Sequence, residues 1–166
     1  YDEEIYIFTP RGDLFTLPSG ATPVDFAYLV HTEVGSRCIG AKVNGKMVPL
    51  SYKLNSGDQV EIITSKKQTP NPDWIKFVVT QKARSRIRHW TNEKRRKAQT
   101  LGRELWNKRS AKMGLTFSEQ DIHRLAANLK FPNLQQLFYE IGSGLFDVND
   151  LLKAARSSLK EEEDTR

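Results

Sequence analysis

"DFAYLVHTEVGSRC", residues 25–38, separates two pairs of β-like segments, and its reading decides the fold. It predicts a short helix, with Phe26, Tyr28, Leu29 and Val34 as apolar positions and Gly35 as a stop. Just upstream, Thr22 is a good N-cap, Pro23 suits the first helical position, and Asp25 lies near the positive end of the helix dipole. Val24, Ala27, Tyr28 and Val34 are the positions expected to face a sheet. His31 falls in the last turns, where an aliphatic residue or a lysine would serve. Either the helix end tolerates a polar residue or something docks there.

Outward from this helix the pattern is β-like. "EIYIFTP" alternates, placing Ile5 and Ile7 on one side and Tyr6 and Phe8 on the other, and "RGD" turns the chain into "LFTLP". After the helix, "CIGAKVNGKMVPL" holds two strands joined by Asn44-Gly45, a strong hairpin signal. "NSGDQVEIIT" adds a turn and a last strand, Val60–Ile63. This order predicts a β-grasp, ubiquitin-like module over residues 1–65. Pro70 and Pro72 mark 66–79 as a linker with one short helix.

From 80 to 160 the periodicity changes to helical. A long helix is expected from Thr80 to about Lys112, with Gly102 weakening it by ~1 kcal/mol and marking a bend. Ser118, Asn133 and Asp147 are placed to cap three further helices, the last ending near Leu159, and 161–166 reads as a disordered tail. The expected class is α+β, a β-grasp module followed by an all-α module.

The net charge of +6 is unevenly spread. Residues 1–65 hold five Lys or Arg against eight Asp or Glu, residues 66–112 fifteen against three, and residues 113–166 six against nine. The basic charge belongs to the middle segment, which suits a polyanion partner or a solvated helix face. Arg84, Arg88 and Arg95 share helical spacing and form one candidate stripe. They would meet an RNA backbone or contact another domain of the same chain. Trp90 and Trp106 fit helix packing better than base stacking, and His89 and His123 fit helix surfaces.

Several chemistries lack their residues. No phosphate-binding glycine loop, dinucleotide fingerprint or nucleophile elbow occurs, and one cysteine with three scattered histidines makes no zinc pattern. The expectation is no catalytic residue, no metal and no cofactor. A lone Cys38 suits a core position in a reducing cytoplasm, and no apolar run is long enough for a membrane span. With Tyr1 in first place and "EEEDTR" at the end, the sequence reads as a piece of a longer protein.

The run "IYIFTPRGDLFTLPSGATPVDFAYLVHTEVGSRCIGAKVNGKMVPLSYKLNSGDQVEIIT" resembles a TGS domain. The following "PNPDWIKFVVTQKARSRIRHW" resembles the start of the helical domain that follows TGS in RelA/SpoT stringent-response proteins. The resemblance covers residues 4–145. It implies a regulatory, non-catalytic part of a (p)ppGpp synthetase/hydrolase, a GTP pyrophosphokinase, whose catalytic domains lie elsewhere in the same chain. It implies that the module senses the 3′ CCA end of uncharged tRNA on the ribosome, with the histidine of "HTEVG", His31, at that end. Arg37 and Lys42 are the flanking candidates for phosphates, with ordinary solvated surface as the alternative for each. Another reading makes the module a docking site for a regulatory protein such as acyl carrier protein.

Overall fold

The computed structural model describes the backbone of residues 3–164 and the side chains of residues 3–157. It divides into two compact units, residues 1–91 and 92–166, and the division falls within one long helix. The fold is α+β.

In the first unit, β1 (Glu4–Phe8) and β2 (Leu14–Pro18) pair antiparallel, with Ile7 opposite Phe15. The strands β3 (Cys38–Val43), β4 (Lys46–Val48) and β5 (Val60–Thr64) form a second antiparallel sheet in the order β4-β3-β5. A parallel bridge between Phe8 and Gln59 brings β1 beside the start of β5. The β3–β4 turn is Asn44-Gly45, with φ of 53° and 84°, the left-handed pair that this hairpin requires. Asn44 secures the turn by donating from Nδ2 to the buried Asp58 carboxylate at 3.0 Å.

The helix α1 (Pro23–Val30) is buried over its whole first six residues, not along one stripe. Phe26 joins Ile5, Ile7, Leu17, Val43 and Val60 against the strands. Val24, Ala27 and Tyr28, expected to face the sheet, share a cluster with Cys38 of β3 and also with Trp74, Val78, Ala83 and Ile87. The stretch expected to be a linker therefore supplies core. It forms a 3-10 turn at Pro72–Lys76, with Pro72 in the favoured first position, and Trp74 is only 5% exposed.

Asp25 fixes this arrangement. Fully buried, its carboxylate accepts from the Thr22 N–H and hydroxyl, completing a capping box at the start of α1. The same carboxylate accepts from the Val79 N–H at 3.1 Å, the Thr80 N–H at 2.9 Å and the Thr80 hydroxyl at 2.8 Å. Thr80 in turn accepts from the Ala83 N–H, capping α3 (Gln81–Lys112). One carboxylate thus holds the N-termini of two helices.

The second unit packs α4 (Glu119–Asn128), α5 (Leu134–Gly142) and α6 (Val148–Asp164) with the later part of α3 around Trp106, Leu137, Leu152 and Ile122. Ser118 caps α4 through a capping box with Asp121. The Ser118 N–H and hydroxyl hold the Asp121 carboxyl below its ordinary range. The helix α6 continues to Asp164 because Lys160, Glu161, Glu162 and Glu163 are good helix formers. The tail expected to be disordered from 161 is helical to that point, and Thr165 and Arg166 lie outside the described residues.

Gly102 marks no weak point but a close crossing. A Cβ there would lie 1.8 Å from the Phe138 carbonyl oxygen, and one on Gly142 would lie 1.7 Å from that of Ala98. The backbones of α3 and α5 touch at this seam.

Two variants test these constraints. Asp25→Asn replaces an acceptor by a donor facing N–H groups and should lower the stability of the first unit by about 3 kcal/mol, read by denaturant unfolding. Gly102→Ala gains ~1 kcal/mol of helix propensity but forces the crossing apart, so a net loss of about 2 kcal/mol is expected from the second unit. A Gly102→Ala chain as stable as wild type would show that the seam yields.

Candidate functional site

The helix expected to run on to Gly35 breaks at His31. This residue is extended, with φ −168° and ψ 145°, and serves as C-cap of α1 and N-cap of a second short helix, α2 (Thr32–Ser36). Its imidazole Nδ1 accepts from the Glu33 N–H at 3.0 Å, the bond that a capping Asn or Asp side chain would make. The remaining edge of the ring is exposed.

Gly35 is not a stop but a contact. A Cβ on it would lie 2.3 Å from the Tyr28 ring, so only glycine lets α2 lie flat on that ring. Tyr28 is itself fully buried, and its hydroxyl lacks a hydrogen-bond partner, the Ser36 side chain beside it being out of bonding geometry. Burial pushes the phenol pKa up. The Cys38 thiol, donating to the Gly35 carbonyl at 3.1 Å, is pushed up to about 12 by burial and is inert as a nucleophile at neutral pH.

These contacts place His31, Glu33, Val34, Arg37 and Thr64 around one open depression of about 420 Å³. Arg37 is half-buried, and its Nη2 reaches the Glu33 carboxylate at 3.0 Å across one helical turn. Thr64, at the end of β5, closes the rim. The depression offers an imidazole edge, a guanidinium, a carboxylate and a hydroxyl, a set suited to sugar and phosphate groups. Among the described residues no cluster of His, Cys, Asp or Glu is arranged to hold a metal ion.

The other sequence candidates lie elsewhere. Lys42 is exposed on β3, between Met47 of β4 and Glu61 of β5, and does not line the depression. Arg84 donates from Nη2 to the Val78 carbonyl at 3.0 Å, so it finishes the α3 entry. Arg88 is exposed on α3 in the first unit. Arg95, in the second unit, lies over the Tyr139 ring at 4.5 Å and bonds Gln136. Two members of the expected stripe are therefore engaged in packing. Glu33 and Thr64 were not singled out by sequence, although the i,i+4 spacing of Glu33 and Arg37 signals their pair.

Residues 5–64 match the TGS domain model, and residues 89–156 match the RelA/SpoT AH domain model. The chain belongs to the RelA/SpoT family. It is 44% identical over 149 residues to a GTP pyrophosphokinase of Myxococcus xanthus, covering 87% of this chain and 20% of that protein. It is 39% identical over 165 residues to a guanosine-3′,5′-bis(diphosphate) 3′-pyrophosphohydrolase of Aquifex aeolicus, covering 99% and 24%. Against a GTP pyrophosphokinase of Escherichia coli K12 it is 38% identical over 166 residues, covering 97% and 22%. The chain thus spans about a fifth to a quarter of the length of these RelA/SpoT relatives. Among the described residues no helix is long and apolar enough to cross a membrane.

The contact between Gly35 and Tyr28 makes a paired prediction. Gly35→Ala should lose about 2 kcal/mol of stability by lifting α2 off the ring, whereas Tyr28→Phe, removing an unpartnered hydroxyl, should unfold at the same denaturant concentration as wild type or higher. A Tyr28→Phe midpoint well below wild type would mean that the hydroxyl is satisfied after all.

Proposed function

We propose that this part of the RelA/SpoT protein is a regulatory module without chemistry of its own, which recognises the 3′ CCA end of uncharged tRNA on the ribosome and relays its presence to catalytic domains of the same chain. The observation that carries this reading is the His31 edge, exposed beside Arg37 on the depression, held there by a cap rather than by packing. A ring so presented can stack on an unpaired base while its free nitrogen bonds a sugar or phosphate, the usual grammar of single-stranded RNA recognition. Arg37 adds a guanidinium within the same depression. The names of the relatives supply the output, synthesis or hydrolysis of guanosine diphosphate derivatives. The fold supplies a mount: α2 rests on Tyr28, and Tyr28 packs with the segment that Asp25 anchors.

The cap decides which variant is informative. His31→Ala removes both the exposed ring and the Nδ1 cap, at a structural cost of roughly 1 kcal/mol. His31→Asn keeps a capping side chain and removes only the ring and its outer nitrogen. Expected for His31→Asn are an unchanged thermal midpoint, at least tenfold weaker binding of uncharged tRNA, and loss of tRNA-stimulated alarmone synthesis in the full-length protein with basal synthesis retained. A His31→Asn protein that binds and responds like wild type would overturn the reading.

A further inference from the structure

Two bonds around Glu33 set the hydrogen-bond polarity of the depression. The Glu33 N–H donates to His31 Nδ1, so the neutral ring carries its proton on Nε2 and meets a ligand as a donor. Arg37 is a donor by nature. The Val34 side chain has no polar atom, and the Thr64 hydroxyl turns to suit its partner. Glu33 is the acceptor-only side chain of the set. Its Oε1 faces Arg37, and the side chain is 60% exposed.

This polarity separates affinity from discrimination, given the reading of the depression as the seat of a terminal ribose. A free ribose hydroxyl both donates and accepts, whereas an esterified oxygen only accepts. The His31 Nε2–H finds an acceptor in either case, so its hydrogen bond does not tell them apart. A carboxylate does: it accepts from the free hydroxyl and meets only lone pairs on the ester. We propose that Glu33 is the specificity-determining residue, the side chain that distinguishes a free terminal hydroxyl from a blocked one, while His31 and Arg37 supply affinity. The Arg37 partner makes this workable, because it offsets the charge that would otherwise repel a nearby phosphate. An exposed ion pair of this kind adds little to folding, which leaves its carboxylate open to a ligand role.

The test uses one RNA stem ending in CCA, with three terminal adenosines: unmodified, 3′-O-methyl and 2′-O-methyl. Methylation keeps the oxygen as an acceptor and removes its proton. Wild type should bind the unmodified end about tenfold more tightly than at least one methylated end, the effect of one hydrogen bond to a charged group. Glu33→Ala should bind all three ends within twofold of one another, even if releasing Arg37 raises its affinity for RNA in general. His31→Asn should weaken binding to every end by a similar factor and keep the tenfold preference. Preference retained in Glu33→Ala, or lost in His31→Asn, would overturn the assignment to Glu33. The reading of the site fails separately, taking this assignment with it, if the wild-type chain binds a stem ending in UUU as tightly as one ending in CCA.

Discussion

Asp25 is the point on which the first unit depends. A buried carboxylate is costly unless its lone pairs are matched by donors, and here five N–H or O–H groups supply them. Two of those donors start α1 and three lie at the entry to α3. The result is that the TGS helix and the segment after the sheet are positioned by the same charge. Trp74, Val78, Ala83 and Ile87 then complete the hydrophobic surroundings of α1, which is why it carries apolar residues on every side. The compact unit accordingly runs past the last strand, to Thr91, although the TGS match ends at residue 64.

Built on that anchor, the depression depends on a chain of short contacts. Tyr28 is held among the residues that follow the sheet, Gly35 lies on its ring, and the five-residue helix α2 carries Glu33 and Arg37 to the rim. His31 spans the break between α1 and α2, and its own cap orients its ring. His31 and Arg37 each have a partner on α2, the Glu33 N–H and the Glu33 carboxylate, and Tyr28 is fully buried. Such preorganisation lowers the entropy lost when any flexible ligand is bound.

The same economy of space shapes the second unit. Gly102 and Gly142 let two helix backbones touch, and that contact decides a residue whose intrinsic propensity argues against a helix. Arg95 and Arg103 lie over the rings of Tyr139 and Phe138, with Arg103 also paired to Glu119. Part of the basic segment is thus structural, its guanidinium groups covering aromatic surface. Charge counted along a sequence does not separate such residues from those facing solvent, since the two differ only in what lies opposite them.

Local signals were fully legible in the sequence. The alternation of Ile5 and Ile7, the Asn44-Gly45 turn, and the caps at Thr22, Ser118 and Asn133 all act within a few residues of themselves, so their residue types alone determine them. His31 and Arg37 were named through the resemblance of the HTEVG segment to a TGS domain. What Asp25 binds 54 and 55 residues away, why Gly35 and Gly102 must be glycine, and that Arg84 and Arg95 are engaged while Lys42 stands apart were settled only by tertiary structure. The break at His31 belongs there too: Gly35 has to meet the Tyr28 ring, and no spacing in the sequence says where that ring will be. Asp25, Gly102 and Arg95 meet residues distant along the chain, Gly35 and Arg84 meet nearer ones across a change of direction, and in each case the partner's position exists only once the chain has folded.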